Sequence, residues 1–149
     1  MGNRRSNITI LAVLGVVAIA ATLLTWSRSD PYRWEMRPVY AAIAAGEQGW
    51  GEEATRMLDG IISRSSDRHA LAERLLRESD GSLVAEGMVL AVRSHHPQAR
   101  SLVQQHLSDR RWNWYLANND ELAMQLLLQL DGKPVESWVA TWLGRTAAS

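Results

Sequence analysis

Hydrophobic residues recur with the period of an α-helix along most of the chain after residue 51. Apolar residues at i, i+3, i+4 and i+7 lie on one face of a helix. Six segments follow this pattern, over residues 54–62, 71–76, 83–92, 99–107, 122–130 and 135–143. The third and fifth segments are apolar nearly all round, so we expect them to be central helices. Because no segment alternates with period two for long enough to form a strand, the sequence predicts an all-α domain.

Polar turns separate these helices. Ser65-Ser66-Asp67 breaks the pattern and can cap the helix that follows, since Ser and Asp are favoured N-cap residues. A polar and aromatic insertion at 108–119 precedes the fifth helix. Asn118 and Glu121 have the spacing of a capping box at the start of that helix.

The helices also repeat along the chain. A shift of 31 residues superposes Met57 on Met88, and a further shift of 36 superposes Met88 on Met124. The same two shifts align three other apolar positions in all three units. Three units at this spacing predict stacked helix hairpins, each covering the apolar face of its neighbour.

The turn at residues 94–100 and the helix after it resemble the inter-helix turn and second helix of HEAT repeats. The stretch 94–100, Ser-His-His-Pro-Gln-Ala-Arg, is followed by Leu102, Val103 and Leu107. HEAT repeats typically have a proline in this turn, then a small apolar residue followed by arginine. The resemblance implies a HEAT-like α-solenoid of antiparallel helices with a surface for protein interaction. It carries over no catalytic residue.

An uncharged, apolar run of 19 residues occupies positions 8–26 and follows Arg4 and Arg5. As a helix it would measure about 28 Å, close to the thickness of the hydrocarbon core of a bilayer. We therefore expect a single transmembrane anchor, with the N-terminus in the cytoplasm and the C-terminal domain outside it. A signal peptide cleaved near Ala18-Ile19-Ala20 is the alternative.

One face of this expected anchor carries the small residues Gly15, Ala18, Thr22 and Thr25. Small residues allow a second transmembrane helix to approach closely, so these four are candidates for helix packing in the membrane. The expected partners are the lipid bilayer and another membrane or envelope protein.

The predicted domain organisation has five parts. Residues 1–7 form a cytoplasmic N-terminus, 8–26 the anchor, 27–50 a juxtamembrane linker with a short helix, 51–144 the helical repeat domain and 145–149 a tail. In the linker, Asp30-Pro31 suits a helix start, and Arg37-Pro38 is expected to interrupt or restart that helix.

Composition excludes several functions. After residue 26 the chain has 14 Lys and Arg residues and 16 Asp and Glu residues, a net charge of −2. This part of the chain therefore lacks the excess positive charge that attracts nucleic acid. The absence of cysteine excludes disulfides and thiolate chemistry. His95, His96 and His106 lack the spacing of metal ligands, and no catalytic or cofactor motif is present. We therefore expect no metal, no cofactor and no enzymatic activity.

The insertion contains the most unusual local sequence, Asp-Arg-Arg-Trp-Asn-Trp-Tyr at 109–115. Its composition is typical of an interface hot spot. The candidate partner contacts are Arg110, Arg111, Trp112, Trp114 and Tyr115. Two alternatives are that these rings stack on sugars of an envelope polysaccharide, or that they only seal the side of the helix stack.

The leading hypothesis is a membrane-anchored helical-repeat scaffold or accessory subunit that mediates protein–protein interaction in a membrane or envelope complex. The alternative is an envelope glycan-binding module that uses the aromatic residues at 112–115.

Overall fold

A computed structural model of the chain describes residues 30–45, 52–114 and 116–145. These residues form seven helices, which are α1 (Arg33–Ala45), α2 (Glu52–Arg64), α3 (Arg68–Leu76), α4 (Gly81–Arg93), α5 (Ala99–Gln104), α6 (Asn119–Leu130) and α7 (Ser137–Gly144). Within the same residues, β-type pairing is limited to one isolated bridge between Trp112 and Asn118. The prediction of an all-α fold, with a helix in each of the six periodic segments, is confirmed.

The transmembrane part of the predicted fold class requires correction. Among the described residues no helix is long and apolar enough to cross a membrane. The longest have 13 residues, which corresponds to about 20 Å against the roughly 30 Å of a bilayer core. The segment 8–26 and its small face of Gly15, Ala18, Thr22 and Thr25 lie outside the described residues. The structure therefore supports an all-α fold and does not support the transmembrane anchor.

The chain divides into two compact units, residues 1–35 and residues 36–149. In the described part of the first unit, the side chain of Asp30 accepts a hydrogen bond from the backbone N–H of Tyr32 at 3.1 Å. Its carbonyl accepts a second bond from Arg33 N at 3.2 Å. Together the two bonds form the turn that leads into α1.

Helix α1 continues through Pro38, so the predicted interruption at this residue is wrong. Proline lacks the N–H that would bond to the carbonyl four residues earlier, which disfavours the interior of a helix. Here Met36 and Val39 are both fully buried on either side of Pro38. Their packing holds the helical conformation that the local sequence disfavours.

Helix α4 is the centre of the second unit. Its residues 81–92 are all buried, and it packs against α3, α5, α6 and α7. This confirms that the third periodic segment is central. Helix α6 is one-sided instead, because Leu122 and Leu126 are buried whereas Met124 is 60% exposed. The prediction that both apolar segments are central is therefore right for α4 and wrong for α6.

Helices α5 and α6 form an antiparallel hairpin. The guanidinium of Arg100, near the start of α5, pairs with Asp131 at the end of α6. At the other end, the backbone N–H of Asp120 donates to the carbonyl of Asp109 at 2.9 Å. The insertion between the two helices therefore projects from one end of the hairpin.

Two aspartates cap the N-termini of α3 and α4. Asp67 Oδ1 accepts from the N–H of Ala70 at 2.9 Å, which confirms that the Ser65–Asp67 turn caps α3. Asp80 Oδ1 accepts from the N–H groups of Ser82 and Leu83 at 2.9 and 3.1 Å. These bonds satisfy donors that have no partner within their own helix.

Gly87 allows α4 to lie directly against α3. A Cβ atom at this position would be 2.9 Å from the backbone nitrogen of Leu76 and 3.0 Å from the Cβ of Leu75. Real Cβ atoms do not come this close to a backbone atom, so any larger residue would push the two helices apart. The same contact explains why a glycine occurs in the interior of a buried helix.

We expect Gly87→Ala to lower the free energy of unfolding by about 1–3 kcal/mol, because the added methyl overpacks the α3–α4 contact. Gly60→Ala is the matched control. Its Cβ would approach only the mobile end of the Arg64 side chain, at 3.1 Å. Since alanine is the better helix former, this control should raise the free energy of unfolding by about 0.5–1 kcal/mol. Urea denaturation measures both, and equal effects of the two substitutions would contradict the close packing.

Candidate functional site

The insertion between α5 and α6 is fastened to the fold by Arg111. Its guanidinium binds Asp109 through two hydrogen bonds, Nε to Oδ1 at 2.8 Å and NH2 to Oδ2 at 2.6 Å. The remaining nitrogen, NH1, donates to the carbonyls of Glu78 and Ser79 at 3.1 and 3.0 Å. Arg111 therefore ties the insertion to the turn between α3 and α4. The side chain is 40% exposed, but all three of its guanidinium nitrogens bond within the fold.

Two buried asparagines extend this network. Asn113 Nδ2 donates to Asn119 Oδ1 at 3.2 Å. Asn119 Nδ2 in turn donates to the carbonyl of Gly81 at 2.9 Å and to Asp109 Oδ2 at 3.2 Å. Buried amides that are satisfied in this way impose one geometry on the residues they join.

The pKa of Asp109 reports the strength of the network. Burial alone would raise it, but the hydrogen bonds from Arg111 and Asn119 outweigh burial and hold the pKa well below its usual range. The Asp109 carboxylate is therefore ionised and accepts the hydrogen bonds that hold the base of the loop together. Each bond to it is charge-assisted and stronger than a neutral one.

The tip of the insertion is a tight hairpin. Asn113 N donates to the carbonyl of Ala117 at 3.0 Å, and Leu116 N donates to the carbonyl of Asn113 at 3.0 Å. Leu116 has φ +57°, the left-handed conformation in which glycine is usual at this place in a hairpin. For a leucine this conformation costs about 1–2 kcal/mol. Such strain is typical of functional loops.

Two large apolar side chains are exposed on this hairpin. Trp112 is 65% exposed and Leu116 is 83% exposed. The side chain of Arg110 is 80% exposed and forms an ion pair with Asp120 at 3.0 Å. These three residues define the loop tip.

Two further apolar residues, one before and one after the insertion, are exposed. These are Leu107 and Met124.

Trp114 faces the opposite way from the loop tip. Its ring lies 5.8 Å from that of Trp142, and the Arg145 guanidinium lies 4.9 Å from its centroid. Trp114 is therefore part of the packed interior of the unit. Of the predicted contact residues, the structure exposes Arg110 and Trp112. Arg111 is engaged in bonds at the base of the loop, Trp114 packs against the core, and Tyr115 lies outside the described residues. Sequence reasoning missed Leu116, whose signal is an apolar residue in a turn with no helical period.

Arg145, which lies over the ring of Trp114, also binds a buried acid. Glu86 of α4 is 2% exposed, and its Oε1 accepts hydrogen bonds from Trp142 Nε1 and Arg145 NH2, both at 2.8 Å. Arg145 also contacts Asp59 of α2 at 3.2 Å. Burial raises the pKa of Glu86 to about 7, against the opposing charge of Arg145 and the hydrogen bond from Trp142.

The histidines of the described residues act in local contacts. His96 is buried and its Nε2 lies 3.2 Å from Glu73, while His106 Nδ1 lies 3.4 Å from Asp109. In residues 30–45, 52–114 and 116–145, no three His, Asp or Glu side chains are grouped so that they could hold a metal ion.

Comparison with protein-family models, with curated proteins and with solved structures finds no match for this chain. Its function is therefore inferred from the geometry of its own residues.

Asp109→Asn should lower the free energy of unfolding by about 2–4 kcal/mol, because it removes the charge that pairs with Arg111 and leaves that guanidinium without its counter-ion. Asp131→Asn is the control, since it also removes a carboxylate from an arginine pair but at an exposed position. It should change stability little. Urea denaturation compares the two variants, and a small effect of both would show that the loop base is not an anchor.

Glu86 makes stability depend on pH. Its pKa in the folded protein, about 7, exceeds the ordinary value of 4.5, so folding takes up a proton between these pH values. The free energy of unfolding should therefore fall as the pH rises from about 4.5 to about 7, and Glu86 should account for roughly 3 kcal/mol of this fall. Glu86→Gln removes this titrating group, so the free energy of unfolding of the variant should rise relative to that of the wild type as the pH increases from about 4.5 to about 7. Urea denaturation at several pH values measures this difference. A difference in free energy of unfolding between variant and wild type that stays constant with pH would contradict the assignment.

Proposed function

We propose that this chain is a helical interaction module, a scaffold or accessory subunit, which binds a partner protein through the loop tip of Arg110, Trp112 and Leu116. One observation carries the proposal. Two large apolar side chains are exposed on a loop whose base is held by a buried polar network. Exposing large apolar side chains to water does not stabilise the folded chain, so their exposure on a fixed loop favours a role in binding.

Fixed geometry favours tight binding. A side chain that is already held in place loses little conformational entropy when a partner covers it. Burying the side chains of Trp112 and Leu116 would contribute about 1.5–3 kcal/mol each. Tryptophan and arginine are also the residues most enriched at interface hot spots.

The chemistry of the loop tip suits a partner with an apolar pocket and an acidic rim. Trp112 and Leu116 would enter the pocket. Arg110 is already paired with Asp120, but exposed ion pairs contribute little, so its guanidinium can exchange that partner for a carboxylate on the rim. The expected partner is therefore a folded protein rather than nucleic acid.

We further propose that the helices form a HEAT-like stack, as the turn at residues 94–100 implies. Contacts of α4 with α5 and α6, and of α6 with α7, support this arrangement. In such a stack the loop tip would lie where the regular repeat is interrupted, at the end of the α5–α6 hairpin.

Trp112→Ala should abolish recovery of a partner when the full-length, affinity-tagged chain is purified from its native cells. Leu116→Gly should also weaken recovery, while its stability stays equal or rises by up to about 1 kcal/mol because glycine relieves the left-handed strain. Trp34→Ala is the matched control, since Trp34 is also a largely exposed tryptophan but lies in α1. With the partner identified, calorimetry should show binding weakened about tenfold or more by Trp112→Ala.

Two outcomes would contradict this function. Undiminished partner recovery with Trp112→Ala would exclude the loop tip as the contact. Retention on isolated envelope polysaccharide that soluble sugar competes away, and that Trp112→Ala abolishes, would instead support the glycan-binding alternative.

A further inference from the structure

A second site lies at the opposite end of α4 from the loop, where α4 ends beside the start of α3. A cavity of about 520 Å³ opens there between the two helix ends. Its lining includes Arg68, His69, Arg93, Ser94 and His95. Sites for small molecules have volumes of about 300–1,000 Å³, so the cavity is large enough for one.

Two guanidinium groups line this cavity without a direct ion-pair partner. Within the described residues, the side chains of Arg68 and Arg93 make no hydrogen bond and no ion pair. Burial lowers the pKa of Arg93, the charge of Glu86 opposes this, and the positive charge of Arg68 lowers it further. The two like charges line one cavity and therefore repel each other. An anion between them would remove the repulsion.

The start of α3 adds positive potential on the same side. A helix N-terminus carries a partial positive charge, and acidic residues are favoured in the first turn. In α3 the first turn contains no acid and begins with Arg68 and His69. Asp67 is the one acid in the cavity lining, and its Oδ1 is engaged as the N-cap by Ala70 N.

His95 occupies a position that glycine normally takes. Its N–H bonds to the carbonyl of Val92 at 3.2 Å, and His96 N bonds to Ala91 O at 2.9 Å, which is the Schellman pattern at the end of a helix. The left-handed residue of that motif is usually glycine, but here it is His95, with φ +53°. The fold thus carries strain that places an imidazole at the cavity.

Ser94 connects the two sides of the cavity. Its carbonyl accepts a hydrogen bond from His69 Nε2 at 2.9 Å, and because a carbonyl only accepts, this nitrogen bears the proton. Its Oγ is buried and has no hydrogen-bond partner. Buried hydroxyls in folded proteins normally have one.

We propose that this cavity binds the phosphate group of a small phosphate ester, with Arg68 and Arg93 as its charged ligands and His95 at its edge. Two guanidinium groups supply two positive charges, which match a phosphate dianion better than a carboxylate. Each guanidinium can also donate two parallel hydrogen bonds to phosphate oxygens. The site is independent of the loop tip, so either can fail without the other.

Isothermal titration calorimetry of the full-length protein tests this proposal, with inorganic phosphate and glycerol 3-phosphate as probes at constant ionic strength. Both probes should bind. Arg93→Gln and Arg68→Gln should each weaken binding about tenfold to a hundredfold, since each removes charge-assisted hydrogen bonds. Arg56→Gln is the control, because Arg56 lines a different cavity, of about 600 Å³, that also contains Glu53 and Asp59. It should leave binding unchanged.

His95→Gly separates binding from folding. Glycine relieves the left-handed strain, so this variant should have a higher midpoint of urea denaturation and yet bind phosphate more weakly. The proposal is overturned if neither probe binds. It is equally overturned if Arg93→Gln and Arg68→Gln bind as the wild type does, or if Arg56→Gln weakens binding as much as they do.

Discussion

Complete burial of α4 is the constraint on which the rest of this fold depends. A helix with no solvent-facing side needs neighbours all round, and α3, α5, α6 and α7 provide them. Its one carboxylate, Glu86, requires donors from another element, which Trp142 and Arg145 supply beyond the sequence neighbourhood of α4. Its glycine at position 87 is required because α3 lies so close. Each of these contacts follows from the need to bury one apolar segment without leaving a polar group unpaired.

The two proposed sites lie at the two ends of this helix. A helix of 13 residues separates its ends by about 20 Å. At one end the base of the loop bonds to Gly81, and at the other Arg93 and His95 line the cavity. Each site also has a non-glycine residue in the left-handed region, Leu116 or His95. Because such residues cost stability, their occurrence at the two ends of a rigid helix favours a role in binding over a role in folding.

Several local predictions fail where distant residues decide the outcome. Helix α1 runs through Pro38 because Met36 and Val39 are buried around it. Asn118 begins α6 as expected, but its side chain makes no cap bond. The N–H groups of Asp120 and Glu121, which it would cap, donate instead to the carbonyl of Asp109 and to Asp120 Oδ1. The aromatic residues of the insertion show the same limit. Composition marked them as a group, but only folding turns Trp114 toward Trp142 and Trp112 toward solvent.

The sequence by itself determined which segments are helical and where the unusual insertion lies, and it marked α4 as one of two candidates for the central helix. Helical periodicity and turn residues carry that information locally, so the segments ending at Arg64, Leu76 and Arg93 could be recognised without coordinates. Only the tertiary structure decided which side chains of the insertion are exposed, and that Arg68 and Arg93 from different helices line the same cavity. The physical reason is that exposure and charge pairing depend on contacts between segments far apart in the chain, whereas helix formation depends mainly on residues within one turn.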